Sequence, residues 1–240
     1  MPRFEPFSGL RYDSSVPLDA VIAPPYDVVG PEERAELAAR HAANAILVEL
    51  PADDPSSGRD RYANAAAILE QWIKEGVLRR DDAPAFYAYR MTAVGGDHTA
   101  GVIGALGCEP VGGDILPHEQ TIPKDKSDRL DLLRACKANL SPIWGLSLTD
   151  GLSALYEQTG PPDASATDDE GTVHELWVVD DPAVVDAIRV SVGSAPVVIA
   201  DGHHRYETAL RYRDELRARG ERVPVGADYV LAYLVALDDP

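Results

Sequence analysis

Positive charge is scarce in this chain of 240 residues. It has 22 Lys and Arg residues against 40 Asp and Glu residues, which gives a formal net charge of −18. A surface of this sign argues against broad electrostatic binding to nucleic acid or to an anionic membrane. Any phosphate ligand therefore requires a local basic pocket. The 45% content of hydrophobic residues is typical of a globular protein.

Cysteines, long apolar runs and several catalytic motifs are also missing or rare. Cys108 and Cys136 have no metal-ligand spacing and are too few to define a disulfide framework, so we expect reduced thiols. No run approaches the ~20 apolar residues that span a bilayer, and the N-terminus lacks a secretory leader pattern. We expect a cytoplasmic protein without a membrane partner. The P-loop, G-x-G-x-x-G, H-E-x-x-H and G-x-S-x-G motifs are absent as well.

The most informative segment that is present is a strand-to-helix turn. A β-branched run ends at Asp201-Gly202, and helical spacing follows, so His203, His204 and Arg205 fall in the first turn of a helix. Each cation there costs roughly 0.3–1 kcal/mol against the helix dipole unless an anion is bound. With free amides and a glycine that permits close approach, the segment predicts a phosphate cradle. The alternative is a plain connection whose histidines cap the helix or face solvent. The residues predicted to hold phosphate or nucleotide are Gly202, His203, His204, Arg205 and Tyr206.

A second informative segment runs from Leu116 to Arg129 and is dense in acidic and basic side chains. Most of it belongs to a long loop predicted over residues 111–126. Sites concentrate on such loops, although an ordinary solvated loop is the alternative. A general base acting on a hydroxyl or on water is expected at Glu119, with His118 and Asp201 as further catalytic candidates. Asp201 is also the candidate ligand for Mg²⁺. The residues predicted to bind substrate are Tyr26, Asp27, Thr121, Lys124, Arg129 and Arg134.

The periodicity of the chain predicts alternating helices and strands and hence an α/β fold with mixed sheets. A β-hairpin is expected around Gly95-Gly96-Asp97. We divide the chain into an N-terminal α/β portion with this hairpin, 1–110, and a phosphate-binding portion, 111–240. Pro24-Pro25-Tyr26-Asp27 is expected to be ordered, either as a pocket wall or as a simple brace. The predicted helices cover 31–43, 62–75, 127–138, 151–158, 182–190 and 202–219. The predicted strands cover 46–50, 84–94, 99–110, 142–148, 173–179, 196–200 and 228–237. A mobile loop is predicted over 160–171.

Four motifs in this order resemble the bacterial family catalogued as domain of unknown function 1015 (DUF1015). They are Ala23-Pro24-Pro25-Tyr26-Asp27-Val28-Val29, Leu116-Pro117-His118-Glu119-Gln120-Thr121, the stretch from Arg134 to Pro142, and Asp201-Gly202-His203-His204-Arg205-Tyr206. Members of that family are usually longer, so we expect the chain to be incomplete at its C-terminus.

The Asp-Gly-His-His-Arg run is in turn similar to the signature of the ParB/sulfiredoxin superfamily, and the nearest local likeness is to free-serine kinases. Gly202, Arg205 and Ala209 match the G-x-x-R-x-x-A spacing with which that superfamily holds nucleotide phosphates. The resemblance implies a ParB/sulfiredoxin-like nucleotide-binding core in the second half of the chain. Sulfiredoxins carry a catalytic cysteine where this chain has His203, and ParB proteins bind DNA through further helical domains. Both activities are therefore disfavoured here.

Together these patterns predict a nucleotide- or phosphate-dependent phosphoryl-transfer enzyme that acts on a small hydroxylated metabolite. Serine or phosphoserine is the specific expectation, ATP or ADP with Mg²⁺ the expected cofactors, and the kinase and phosphatase directions both stay open. Lys124 or Arg129 would contact a second phosphate group. The alternative from another class is a non-catalytic nucleotide-binding switch of the ParB-like superfamily, and an inert scaffold is a third reading. The expected partner is a small phosphorylated or hydroxylated molecule and not a nucleic acid.

Overall fold

The computed structural model describes residues 1–118, 127–158, 160–220 and 225–237. The elements of the first half are β1 (Phe4–Glu5), β2 (Leu10–Tyr12), α1 (Leu18–Val21), α2 (Pro31–Arg40), α3 (Ile46–Glu49), α4 (Arg61–Glu75), β3 (Leu78–Arg80), β4 (Phe86–Thr92) and β5 (His98–Gly107). Those of the second half are β6 (Ile115–Pro117), α5 (Ser127–Cys136), β7 (Ile143–Ser147), α6 (Ser153–Tyr156), β8 (Ala164–Thr167), β9 (Val173–Val179), α7 (Pro182–Gly193), β10 (Val197–Asp201), α8 (His203–Ala218), a 3-10 helix (Val225–Asp228) and β11 (Tyr229–Ala236).

The fold is a mixed α/β structure built on one large sheet. Within the described residues this sheet has nine strands in the order β6-β10-β7-β11-β5-β4-β9-β8, with β1 also paired to β5. Two pairings, β6 with β10 and β7 with β11, are parallel, and the others are antiparallel. A separate two-stranded ribbon joins β2 to β3. The large sheet therefore takes strands from both the 1–110 and the 111–240 portions.

One face of the sheet is covered by helices and forms the main core. Alternate residues of the strands, among them Phe86, Val102 and Leu234, pack there against α6, α7 and α8, which contribute residues such as Ile188 and Tyr206. A second core lies among α1, α3, α4 and β3, with Trp72 and Leu69 at its centre. In the described part of the chain, no helix is both long and apolar enough to cross a membrane.

Several predicted elements are confirmed. Gly76 ends α4 in the left-handed conformation, with φ of 76°, as a glycine stop signal predicts. Pro182 occupies the first turn of α7, where the preceding Asp181 side chain accepts the Ala183 and Val184 N–H groups. The hairpin at Gly95-Gly96-Asp97 joins β4 to β5.

Other predictions are wrong for identifiable reasons. The strand predicted over 46–50 is the helix α3, because Asn44 Oδ1 accepts the Ile46 N–H at 3.0 Å and begins a helical turn. A four-residue apolar run cannot by itself distinguish the two states. The predicted loop over 160–171 contains β8, a strand of small residues that pairs with β9 at the edge of the sheet. The loop predicted over 111–126 likewise contains β6.

The buried face of α4 also differs from the prediction. Helical spacing over 62–75 predicts that Ala66, Leu69 and Ile73 face inward. The structure instead buries Ala65, Leu69 and Trp72 and leaves Ile73 44% exposed. The helix is rotated so that the large indole of Trp72 packs near Tyr12, with ring centroids 6.3 Å apart. Burial of the larger aromatic surface decides the orientation.

Candidate functional site

The turn between β10 and α8 depends on glycine. Gly202 is the N-cap of α8 and has φ of 86°, a left-handed conformation that L-residues rarely adopt. A Cβ at this position would lie 3.0 Å from Ile143 Cγ2 and 3.1 Å from Arg205 Nε. The Gly202 carbonyl accepts the Tyr206 N–H at 3.0 Å and so closes the first helical turn. The N–H groups before Tyr206 have no acceptor within the helix, and N–H groups of this kind can donate to an anion.

Arg205 is held over this turn by two oxygen atoms. Its guanidinium donates to Asp201 Oδ2 at 2.6 Å and to the carbonyl oxygen of Pro142. The Arg205 side chain is 17% exposed and that of Asp201 is 65% exposed. The pair therefore fixes the positive charge at the turn and leaves the carboxylate open to solvent.

The pairing of β6 with β10 brings the second predicted segment to the same place. These strands run parallel, with Pro117 opposite Ile199, so the chain leaves β6 beside the start of α8. The His118 and His203 rings have centroids 5.2 Å apart, and the His118 N–H points to His203 Nε2 at 3.4 Å. His118 Nδ1 lies 3.1 Å from the Ile199 carbonyl, which can only accept, so Nδ1 carries the proton of this hydrogen bond. Glu119, Thr121 and Lys124 lie outside the described residues.

A third group of residues adjoins the turn. The Arg129 guanidinium stacks on the Tyr26 ring at 4.1 Å from its centroid and donates to the Glu49 carbonyl at 2.8 Å. It also donates to Asp128 Oδ2 at 2.7 and 2.9 Å. With its donors occupied in this way, Arg129 acts as a brace for Tyr26 and Glu49 more than as an open phosphate ligand. Tyr26 lies in a turn closed by the Val28 N–H and the Pro25 carbonyl.

Glu49 is a member of this group that the sequence pattern does not predict as a site residue. Its side chain is 13% exposed, and its buried Oε1 has no hydrogen-bond partner among the residues that the structure describes. Burial raises the pKa of Glu49, and the positive charges of Arg129 and Arg205 and a hydrogen bond from Ser141 oppose that rise only in part. Burial also raises the pKa of Tyr26, again against the charges of Arg129 and Arg205. These shared influences place Glu49, Tyr26 and Arg205 in one electrostatic environment.

The signal that could have identified Glu49 is local. It is the only charged residue in the run Ala45-Ile46-Leu47-Val48-Glu49-Leu50-Pro51. A buried acid is costly unless it is compensated, and it is enriched at functional sites. Its proximity to Arg205 is a long-range property of the fold that spacing along the chain does not contain.

Other predicted residues lie away from this group or face the core. Tyr206 is fully buried, and its hydroxyl donates to the Glu109 carbonyl at 2.8 Å and accepts the Glu109 N–H at 3.0 Å. It therefore holds α8 on the sheet. Arg134 pairs with Glu215 of α8 at 2.6 Å and with Asp131 at 2.6 Å. It lies five positions after Arg129, and at 100° per residue the two side chains leave different sides of α5.

The remaining predicted residues are solvent-facing. His204 is 47% exposed at the side chain and lies 3.9 Å from Glu207, and Asp27 is exposed in the turn that carries Tyr26. Among the residues that the structure describes, no group of three His, Cys, Asp or Glu side chains could hold a metal ion. Asp201 could offer Mg²⁺ one carboxylate, an arrangement that suits this ion when substrate phosphates and water supply further ligands.

The fold and the site together define a mixed α/β protein with a basic, glycine-dependent strand-to-helix turn in an otherwise acidic chain. The chain belongs to the family described as "Protein of unknown function (DUF1015)", whose model matches residues 4–240. No curated protein and no solved structure matches the chain.

Proposed function

We infer that the protein is a phosphoryl-transfer enzyme that binds a nucleotide or another phosphate compound at the start of α8. The observation that carries this proposal is the convergence of His118 with the Gly202–Arg205 turn, beside Arg129, Tyr26 and Glu49. The sequence pattern predicted two of these segments independently. A small hydroxylated metabolite, with serine or phosphoserine first, is the proposed second substrate.

The roles follow from position and charge. The amides after Gly202 and the histidines of the first turn would hold phosphate oxygens, and Arg205 would neutralise their charge. Asp201 orients Arg205 through the 2.6 Å ion pair. When bound at Asp201, Mg²⁺ would supply further neutralisation of phosphate charge. Such catalysis consists mostly of positioning and charge stabilisation, so these groups suffice.

Two carboxylates are candidates for moving the proton. Glu119 is the proposed general base on a hydroxyl or on water, and Glu49 is the second candidate because its raised pKa favours proton uptake. The same groups serve a kinase or a phosphatase, since both transfer a phosphoryl group to an oxygen nucleophile, a substrate hydroxyl in the first case and water in the second. Substitution of each carboxylate by glutamine assigns the role to one of them.

The first experiment is a thermal-shift series with ATP, ADP, pyrophosphate and phosphoserine. A ligand at 100 times its Kd stabilises the folded state by about 2.7 kcal/mol, so binding is readily detected. We expect Arg205→Ala to remove the shift and Arg189→Ala to preserve it. Arg189 is a matched control, because it is an arginine paired with Glu5 on the surface of α7. If no phosphate compound raises the melting temperature of the unmodified protein, the proposal fails.

A second experiment separates catalysis from mere binding. Any ligand that binds is incubated with serine or phosphoserine, and the release or transfer of phosphate is followed. We expect turnover that is lost in Glu119→Gln or in Glu49→Gln while ligand binding persists. Binding without any product from either compound would instead identify a nucleotide-binding switch.

A further inference from the structure

Trp144 is unusual in its position. It lies on β7, between β10 and β11 in the interior of the large sheet, yet it is 37% exposed. The other two tryptophans of the chain, Trp72 and Trp177, are 5% and 6% exposed. The partly exposed indole of Trp144 therefore offers a flat aromatic surface to a ligand.

The register of the sheet places Trp144 beside the phosphate-binding turn. Trp144 is the cross-strand partner of Asp201, at the irregularity between Ile199 and Asp201. A bulge sets two residues of one strand opposite one residue of its neighbour, and here the pairing places Asp201 next to Trp144. Because Asp201 binds Arg205, the indole and the cationic turn lie at the same end of two adjacent strands.

Neighbouring aromatic residues hold the indole in place. The Trp144 and Tyr233 rings have centroids 5.7 Å apart, and Tyr233 meets Tyr89 edge to face at 5.4 Å. A Cβ on Gly101 would lie 2.6 Å from Tyr233 Cε2, so glycine at this position leaves room for the Tyr233 ring. The neighbouring rings therefore restrict the orientation of the partly exposed indole.

We propose that Trp144 stacks the base of a nucleoside phosphate whose phosphate groups lie at the Gly202–Arg205 turn. This inference rests on the proposed function and specifies its ligand class. Serine, phosphoserine and pyrophosphate offer no planar surface to an indole, whereas every nucleobase has a π-face. A nucleotide has a flat base at one end and phosphate groups at the other, and these would contact the indole and the turn respectively.

The test uses the intrinsic fluorescence of the protein, because Trp144 is the one tryptophan with substantial exposure. ATP and inorganic tripolyphosphate, which lacks a base, are titrated in parallel and thermal shifts are recorded. We expect both ligands to stabilise the protein and ATP alone to quench the emission. Loss of stacking in Trp144→Ala should weaken ATP binding by about 5- to 150-fold and leave tripolyphosphate binding unchanged.

Two further variants keep the test decisive. Trp144→Phe retains an aromatic ring and should bind ATP within a few-fold of the unmodified protein while losing the quenching signal. Leu148→Ala is the matched control, since Leu148 follows β7 and is also 37% exposed. It should change neither affinity.

The outcomes separate the two proposals. If both ligands bind but Trp144→Ala lowers neither affinity, or lowers both equally, the stacking role is refuted and the phosphate site stands. Emission that responds to neither ligand although ATP binds, or that changes with protein concentration because a second copy covers the indole, also refutes stacking. If neither ligand binds the unmodified protein, the proposed function and the stacking role fail together.

Discussion

Replacement of Gly202 by alanine probes the site most directly, because two independent costs act at this residue. Gly202 has φ of 86°, and the left-handed conformation costs an L-residue about 1–2 kcal/mol. The new Cβ would also lie 3.1 Å from the Ile143 Cα, a backbone atom that cannot move aside easily. Overpacking of this kind adds about 1–3 kcal/mol. After the reduced freedom of the unfolded chain offsets part of this, we expect Gly202→Ala to lower the free energy of unfolding by about 2–4 kcal/mol.

Gly76→Ala is the matched control for this prediction. Gly76 also adopts the left-handed conformation at a helix end, with φ of 76°, but a Cβ there would meet only Arg79 Nη2 at 3.9 Å. The backbone cost alone applies, and we expect a loss of about 1–2 kcal/mol. Both variants are unfolded in urea, and the free energies of unfolding are compared.

The same pair of variants is then tested for ligand-dependent stabilisation. A Cβ at position 202 would lie 3.1 Å from Arg205 Nε, so the guanidinium must shift and the rise in melting temperature with pyrophosphate should shrink. Gly76→Ala should retain the full rise. A Gly202→Ala variant that is no less stable than Gly76→Ala, with an unchanged pyrophosphate response, would refute the role assigned to this turn.

Three further predictions concern the surroundings of the site. Burial raises the pKa of Glu49, so the folded protein loses stability as pH rises through the folded-state pKa and the buried carboxylate becomes charged. Because glutamine stays neutral, Glu49→Gln should raise the melting temperature more at about pH 8 than at about pH 5. Arg134→Ala removes a partly exposed ion pair with Glu215 and should cost about 1 kcal/mol or less in urea unfolding, and an altered pyrophosphate response would instead return Arg134 to the binding site. Burial raises the pKa of the Cys108 thiol to about 12 and that of the half-buried Cys136 to about 11. Alkylation followed by mass spectrometry should label Cys108 only after unfolding and should label Cys136 more slowly in the folded than in the unfolded protein; fast labelling of Cys108 in the folded protein would contradict its burial.

Those parts of the fold that depend on local signals could be predicted from the sequence. Gly76 stops a helix, Pro182 begins one, and Gly95-Gly96 turns a hairpin, each through the conformational preference of one or two residues. The helix α3 and the edge strand β8 were not predictable in this way. Their states depend on Asn44 and on pairing with β9, which are contacts outside the segments themselves.

The residues of the candidate site likewise separate into those that local sequence signals identify and those that only the fold brings to the turn. The Gly202–Arg205 turn is visible in the sequence because its residues are consecutive and their charge conflicts with the helix dipole. Glu49 and Trp144 are not visible, since their importance lies in being brought to that turn by α3 and by the register of β7 with β10. Tyr206 was predicted to bind phosphate because it follows the turn in sequence. Its position in the sequence does not show the direction of its side chain, which faces the core.

The ion pair between Arg134 and Glu215 has a mechanical consequence. It joins α5, which carries Arg129 at its opposite side, to α8, whose first turn carries Arg205. The pair therefore helps to fix the position of α5 relative to α8. A displacement of α5 would move Arg129, and with it the Tyr26 ring on which it stacks, relative to Arg205.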